Sequence, residues 1–425
     1  MPNGLLKLTV KNFRCLADVE LNFRPINVLF GPNGSGKTTF LDAIWFVRDC
    51  AIRGVDEASA DRSHGIGTLW EGAEPNDRIT IEIESDEARY TIEFGYSSGR
   101  IDPFPAESLI DTKRNITMIK RMLGGTKAEF WHEGEGINQM QPVELNKPGG
   151  LALTRYGPFY DKPTAIASMD HTLRSVQCYH TRSASLNLLR KHGSESSYHT
   201  LLLDSAQNLW SALRNLHDKR DLDERYNTII SFMRKAFPRF KGLALEQTGA
   251  NSVYCSFVED GRERPIQASG VSDGHIQLLI HLTALFGEGN RDSILIFDEP
   301  ETSLHPFAIS VFAEAVKLAA EKWNKQVMIA THSPVLISQF ELADIIATEL
   351  NDNNSTQMRR ASEIPELADL LEEYAAGSLY MSKMLAKQSR PQGSGTQRSQ
   401  ERGEGESEFG LHRPLCPHRP HLIAP

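Results

Sequence analysis

Apolar and polar residues alternate along the first 24 residues of the chain. Residues 6–11 read LKLTVK and residues 19–24 read VELNFR, so that every second side chain is apolar. This period of two predicts two half-buried strands. The next segment, INVLF at residues 26–30, is a short apolar run and predicts a third strand.

Alternation with the same period returns later in the first half of the chain. Residues 78–84 (RITIEIE) and 89–94 (RYTIEF) flank a charged turn, and shorter strand-like pieces follow at 115–119 and 127–132. Four consecutive strands joined by short connections predict an antiparallel sheet layer. Residues 142–165, rich in proline and glycine, predict a loop or interface region.

Helical spacing appears in two other places. Apolar residues recur at helical spacing from Phe40 to Val47 and predict a helix that ends at Gly54. Two amphipathic stripes between residues 200 and 237 predict two more helices: Leu202, Ala206, Leu209, Leu213 and Leu216, then Tyr226, Ile229, Ile230, Met233 and Phe237. Residues 243–258 then predict a hairpin with its turn at 249–252.

The segment between the third strand and the first helix carries a chemical motif. Residues 30–39 read FGPNGSGKTT, which matches the phosphate-binding P-loop, or Walker A, pattern Gly-x-x-x-x-Gly-Lys-Thr. Glycines allow a tight turn whose N–H groups face a phosphate, and the following helix start adds further N–H donors. We therefore expect ATP and Mg²⁺ here, with Thr38 as a metal ligand. The predicted nucleotide-binding residues are Gly31, Pro32, Asn33, Gly34, Ser35, Gly36, Lys37, Thr38 and Thr39.

A second motif follows an apolar run in the last third of the chain. Residues 294–300 read ILIFDEP, which predicts a strand that is buried on both faces and ends in two carboxylates. A carboxylate at the end of a strand beside a P-loop suits Mg²⁺ coordination, the Walker B role. Asp298 is the predicted metal ligand and Glu299 the residue that polarises the attacking water. The alternative is an ordinary strand followed by an acidic turn.

Two weaker motifs accompany these. Residues 269–275 read SGVSDGH at the start of a predicted helix, where Ser272 is a good N-cap. The N-terminal end of a helix can bind an anion, so Ser272 and Gly274 are candidate phosphate contacts. Residues 330–334 read ATHSP after another apolar strand, and His332 is a candidate contact for a γ-phosphate. Taken singly, Ser272 is more often a plain cap and His332 a structural residue.

The order of the four motifs resembles that of ABC-type ATPases. The opening LKLTVKNFRCLADVELNF, followed by INVLFGPNGSGKTTFLDAI, resembles the SMC/RecF-like and OLD-type branch of AAA family ATPases. DEPETSLHP resembles its Walker B and D-loop segment, with His305 where transporter ATPases commonly have aspartate. Bacterial members of this branch include ATPase subunits of anti-phage systems. The expected fold is α/β, a P-loop NTPase with an ABC-ATPase-like head, a mixed central sheet, an antiparallel β layer and a helical subdomain.

The resemblance also implies a mechanism. Two protomers would pair head to tail with ATP between them, the P-loop of one facing Ser272 and Gly274 of the other. Hydrolysis through Glu299, with His332 at the γ-phosphate, would open this homodimer. No family-type Q-loop glutamine can be assigned among Gln139, Gln141 and Gln177. The expected domains are an ATPase head (1–348, divided into 1–170, a helical insertion at 171–242, and 243–348), a helical extension (349–386) and a disordered tail (387–425).

Composition limits the remaining possibilities. A net charge of −9 argues against a constitutive nucleic-acid coat protein, although it leaves DNA contact open. The basic segments 113–121 and 190–192 are predicted to be solvated faces. Five scattered cysteines indicate neither a zinc site nor a disulfide framework, and no apolar run is long enough for a membrane span. We therefore expect a cytoplasmic protein without a membrane partner.

Three functions compete at this stage. The favoured one is an ATP hydrolase that switches a DNA-directed partner, such as a separate nuclease, in anti-phage defence or DNA repair. The alternative is the ATP-binding subunit of a membrane transporter, which the long insertion between Lys37 and Asp298 disfavours. The third is a single-chain OLD-like nuclease, which would need a cluster of carboxylates after His332 that the sequence does not show.

Overall fold

A computed structural model describes residues 4–74, 76–134, 137–145, 147, 149–155, 164–180, 186–248, 251–289 and 291–364. The strands are β1 Leu5–Phe13, β2 Leu16–Asn22, β3 Ile26–Phe30, β4 Ile79–Ser85, β5 Ala88–Phe94, β6 Tyr96–Ser97, β7 Arg100–Ile101, β8 Ala106–Asp111, β9 Ile116–Arg121, β10 Lys127–Gly134, β11 Ile137–Glu144, β12 Val176–His180, β13 Ser194–Glu195, β14 Phe240–Thr248, β15 Ser252–Glu259, β16 Ile266–Gln267, β17 Ser293–Asp298, β18 Lys325–Thr331, β19 Ile345–Leu350 and β20 Thr356–Arg360.

The helices lie between these strands. They are α1 Lys37–Arg53, α2 Val55–Ala60, α3 Ala165–Arg174, α4 Leu186–His192, α5 Leu209–His217, α6 Arg225–Ala236, α7 Asp273–Phe286, α8 Pro306–Lys322 and α9 Pro334–Ile337. Helix α1 begins directly after the glycine-rich segment and ends at Gly54, as the apolar spacing predicts. Helix α8 has a proline at its first position, where the missing N–H costs nothing.

A mixed six-stranded sheet forms the centre of the fold. Its order is β12-β17-β18-β3-β19-β20, and every neighbouring pair is parallel except β19 and β20. Strands β3 and β18 are buried along their whole length. Since both faces of this sheet are covered, its strands read as apolar runs rather than as alternating sequences.

The second large sheet is antiparallel and has eight strands in the order β11-β10-β9-β8-β5-β4-β1-β2. Its strands alternate: in β4, for example, every second residue from Ile79 to Ser85 is buried. The buried side chains of β1, β4 and β5 pack with those of α1 in one apolar core, which also includes Leu29 and Ile296 of the central sheet. Helix α1 therefore lies between the two sheets. Helices α5 to α8 share a second core with the opposite face of the central sheet.

These observations confirm the expected fold class and most of the predicted elements, and the main differences are as follows. The helical insertion expected at 171–242 contains β12, which is a strand of the central sheet. Residues 356–360 form the edge strand β20 where a helical extension was expected, since they pair with β19. Strands β8 and β11 were not predicted, and the apolar stripe at 202–206 precedes helix α5 rather than lying within it.

Other expectations stay predictions. The domain boundaries are not tested, and residues 365–425, with the rest of the extension and the tail, lie outside the described residues. The turn of the predicted hairpin also falls partly outside them, although its two strands β14 and β15 pair as expected. Among the described residues, no helix combines the length and the apolar character that a bilayer crossing requires.

Candidate functional site

The carboxyl ends of four parallel strands meet at one edge of the central sheet. The P-loop follows β3, Asp298 ends β17, His332 follows β18 and His180 ends β12. The strand order alone brings these segments together, because parallel neighbours end at the same edge of a sheet. Walker A, Walker B and the histidine strand, which are far apart in the sequence, therefore form one site.

Glycines in the P-loop have different structural roles. A Cβ at Gly31 would lie 2.0 Å from the carbonyl oxygen of Thr348, and a Cβ at Gly36 would lie 2.1 Å from Oγ1 of Thr356. Both glycines are thus required by close packing against β19 and β20. Gly34 has φ of +79° with open space around it, so that its requirement is conformational.

Lys37 is held inside this loop. Its Nζ donates hydrogen bonds of 2.9 Å to the carbonyl oxygens of both Gly31 and Pro32. Burial lowers the pKa of Lys37, while the nearby carboxylates of Asp298 and Glu299 act in the opposite direction. An ammonium group has three N–H donors, so one remains for a phosphate oxygen. The arrangement fits the predicted role of Lys37.

A hydroxyl and a carboxylate converge at the predicted metal position. Oγ1 of Thr38 donates to Oδ1 of Asp298 at 3.0 Å, and Nδ1 of His180 lies 3.0 Å from Oδ2 of the same carboxylate. This donor set suits Mg²⁺, which takes oxygen ligands and keeps waters and substrate phosphates as its others. Within the described ranges, no group of three or more His, Cys, Asp or Glu side chains could hold a metal by itself.

His180 is a site residue that sequence reasoning missed. It sits on β12, which was assigned to the helical insertion, and its ring lies 5.0 Å from the ring of Trp45 on α1. The three candidate Q-loop glutamines do not occupy this place. Gln177 donates to Glu288 at 2.9 Å, and Gln139 and Gln141 lie on the edge strand β11 of the other sheet. The signal in the sequence was weak, because the polar Gln177 interrupts the apolar residues Val176, Cys178 and Tyr179 before His180.

The candidate catalytic pair lies at the same edge. Nδ1 of His332 is 3.5 Å from Oε1 of Glu299. Glu299 has φ of +51°, a left-handed conformation that costs energy for a residue with a side chain. Its N–H donates to the carbonyl of Ala330 at 2.8 Å, which ties the strained residue to β18. The backbone thus holds Glu299 and His332 next to each other.

Glu301 is a second residue that the sequence did not single out. Its Oε1 accepts a hydrogen bond of 2.6 Å from the hydroxyl of Thr331 and a longer one from the N–H of His332. Its side chain is only 9% exposed. These two bonds tie the buried carboxylate of Glu301 to the end of β18, next to His332.

The Ser-Asp-Gly segment lies on another part of the surface. Ser272 is at the N-cap position of α7, but its hydroxyl contacts Nδ1 of His275 at 2.8 Å and does not cap the helix. A Cβ at Gly274 would lie 2.7 Å from the carbonyl oxygen of Ser303, so Gly274 packs on the turn after Glu299. Among the described residues, no hydrogen bond joins Ser272 to the P-loop of the same chain.

Known proteins share this architecture. A family model described as "AAA domain, putative AbiEii toxin, Type IV TA system" matches residues 178–338, and one described as "AAA domain" matches residues 7–148. The chain is 22% identical to an OLD nuclease of Thermus scotoductus over 391 residues, which is 88% of this chain and 68% of that protein.

Two further likenesses are consistent with these. The Old nuclease of Escherichia phage P2 is 22% identical over 392 residues, covering 85% of this chain and 62% of that protein. The chain thus spans 62–68% of the length of these two relatives. A crystal structure of an SMC head bound to the C-winged helix domain of ScpA superimposes with a TM-score of 0.52 at 15% identity, covering 84% of this chain and 97% of that one. This likeness concerns the fold.

Proposed function

We propose that the chain is a P-loop ATPase of the branch that includes OLD proteins, RecF and SMC heads, and that it hydrolyses ATP as a nucleotide-dependent dimer clamp. One observation carries this proposal. The Thr38–Asp298 hydrogen bond of 3.0 Å lies at the same sheet edge as the Glu299–His332 pair. A phosphate cradle, a metal-ligand pair and a general base are the parts that ATP hydrolysis requires.

Each part has a role that follows from its geometry. The N–H groups of residues 31–39 and the ammonium of Lys37 bind the triphosphate of ATP. Mg²⁺ bound by Thr38 and Asp298 would neutralise charge on the phosphates. Glu299 orients the attacking water and accepts its proton, and His332 donates a hydrogen bond to the γ-phosphate. The contact between His332 and Glu299 keeps both groups on the same side of the nucleotide.

The position of the Ser-Asp-Gly segment supports the proposed dimer. Ser272 and Gly274 lie at the start of α7, where Gly274 packs on the turn after Glu299, whereas the P-loop lies at the start of α1. These two residues are therefore proposed to act on ATP that is held by a partner protomer. Two copies related by a two-fold axis would enclose two nucleotides.

The biological output is proposed from the relatives. The two OLD relatives are named as nucleases, and this chain spans only part of their length. We propose that opening and closing of the clamp controls a separately encoded effector, such as a nuclease, in anti-phage defence or DNA repair. DNA is the candidate input that triggers hydrolysis.

The test combines ATP turnover with solution mass, measured for the wild type and for Glu299→Gln. We expect the wild type to hydrolyse ATP and Glu299→Gln to lose at least about 100-fold in turnover, because the water loses its general base. Glu299→Gln should also accumulate as a dimer when ATP is added. Both measurements are repeated with added DNA.

Glu321→Gln is the matched control, since Glu321 is an exposed residue near the end of α8. It should behave like the wild type. A wild-type protein that neither hydrolyses ATP nor changes mass with ATP would contradict the proposed function.

A further inference from the structure

Arg190 contacts both sequence neighbours of Ser272, the residue that is proposed to reach the partner's nucleotide. Its guanidinium donates to the carbonyl oxygen of Val271 at 2.7 Å and forms an ion pair with the carboxylate of Asp273 at 2.6 Å. These two contacts lie on either side of Ser272 in the sequence. Both contacts are made by Nη2 of Arg190, so a single charged group holds the backbone on one side of Ser272 and a carboxylate on the other.

Helix α4, which carries Arg190, is itself anchored to the core. Leu189 is 1% exposed, and its carbonyl oxygen accepts a hydrogen bond of 2.9 Å from the indole of Trp210. Trp210 is fully buried and packs edge-on against Phe257. The Arg190 side chain is 21% exposed, so it is not the solvated residue that the basic run at 190–192 predicted.

The other side of the same loop is held by stacking. The ring of His275 lies 3.7 Å from the ring of Phe237, and Nδ1 of His275 contacts the hydroxyl of Ser272. The segment 271–275, which includes the start of α7, is therefore fixed from two directions. Arg190 holds it on the α4 side and Phe237 holds it on the α6 side. Contacts of this kind set a residue's position before a ligand arrives.

We propose that Arg190 is a positioning residue that presents Ser272 to the ATP bound by the partner protomer. This inference rests on the proposed dimer clamp and adds a residue to it. Arg190 is proposed to act on the nucleotide indirectly. It acts through the backbone of Val271 and the carboxylate of Asp273, which fix the start of α7.

The first test compares Arg190→Ala with Lys191→Ala, its neighbour on the same helix with the same charge and an exposed side chain. Losing the charged hydrogen bonds of Arg190 should lower ATP-driven dimerisation and turnover about tenfold. ATP binding to the monomer should stay at the value of Lys191→Ala, because the P-loop is untouched. Equal activity of the two variants would overturn the inference and leave the clamp in place.

Asp273→Asn is a milder second variant, in case Arg190→Ala does not fold. It removes the ion pair and keeps the bond from Arg190 to the carbonyl of Val271. We expect a smaller decrease in dimerisation than for Arg190→Ala. Activity equal to the wild type would contradict a positioning role for the pair.

Mixing two impaired variants gives a readout that a general structural defect would not produce. In a heterodimer of Arg190→Ala and Lys37→Ala, the intact P-loop of the first faces the intact Ser272 loop of the second. Random pairing should restore about a quarter of wild-type turnover. The pair Glu299→Gln and Lys37→Ala is the negative control, since Glu299 acts on the nucleotide of its own protomer.

The outcomes distinguish the role of Arg190 from the proposed dimer clamp. Restored turnover in the first mixture supports Arg190 acting on the partner's site. No restoration would overturn the inference, because Arg190 would then serve its own protomer or its fold. Failure of the wild type to hydrolyse ATP or to dimerise would instead contradict the proposed function.

Discussion

Two glycines of the P-loop both have positive φ, yet their surroundings differ. Gly36 has φ of +98°, and a Cβ there would lie 2.1 Å from Oγ1 of Thr356. Gly34 has φ of +79° and no atom within 4 Å of such a Cβ. The left-handed conformation costs a residue with a side chain about 1–2 kcal/mol. A side chain at position 36 would add a steric clash to this conformational cost, whereas a side chain at position 34 would not.

We therefore expect Gly36→Ala to lower the free energy of unfolding clearly more than Gly34→Ala does. The second variant should lose about 1 kcal/mol, and the first at least about 2 kcal/mol, because Thr356 must move. Urea unfolding of both variants and the wild type measures this difference. Equal losses would show that β20 yields to the added methyl group.

Helix α7 and the turn after Glu299 are joined through one buried histidine. Nε2 of His281 donates to the carbonyl oxygen of Pro300 at 3.1 Å, and the ring packs against Phe297 and Phe312. Burial lowers the pKa of His281 to about 4. The helix that begins at Ser272 thus contacts the residue that follows Glu299, so the two segments cannot move independently.

The low pKa of His281 predicts a loss of stability in mild acid. An unfolded chain binds a proton at this residue below about pH 6.5, whereas the folded chain does so only below pH 4. Stability from this residue is therefore complete above pH 7 and falls as the pH drops. By linkage, the loss at pH 5 is about 2 kcal/mol.

Urea unfolding at pH 7.5 and pH 5 measures this loss. His281→Gln should weaken the pH dependence by that amount, because glutamine does not titrate. His192→Gln replaces an exposed histidine at the end of α4 and is the control. An unchanged pH dependence in His281→Gln would show that the titration of His281 does not cause the loss of stability in acid.

At the scale of the whole molecule, the site joins segments from most of the chain. The P-loop contacts β19 through Gly31 and β20 through Thr356, whose Oγ1 donates to the carbonyl of Ser35 at 3.1 Å. Thr38 reaches Asp298 across the sheet. A ligand that binds this site only in the folded state stabilises all of these segments together.

ATP with Mg²⁺ should therefore raise the melting temperature of the wild type. At a free concentration 100 times the dissociation constant, the gain in unfolding free energy is about 2.7 kcal/mol. Lys37→Ala should remove this shift, because the phosphates lose their charged donor. Thermal unfolding of both proteins with and without ATP measures the difference. A shift that persists in Lys37→Ala would place the nucleotide elsewhere.

Much of the site could be predicted from the sequence because its motifs are short, continuous segments of the chain. The P-loop is a run of ten residues that joins the end of β3 to the start of α1, and Asp298 and Glu299 lie at the end of an apolar strand. Period-two alternation identified β1, β2, β4 and β5, since one face of each strand is buried. Local pattern and structure agree wherever a segment's own periodicity decides its burial.

Other features depended on contacts between distant residues. His180 became a site residue because β12 pairs with β17, and Arg190 gained its place from packing of α4 near residues 271–273. Strand β20 forms because β19 offers a free edge, which outweighs any local preference for helix. No local pattern records such pairings, since a strand's neighbour is chosen by the burial and hydrogen bonding of the whole sheet. The sequence by itself thus determined the motifs and their order, and only the tertiary structure decided which residues surround them.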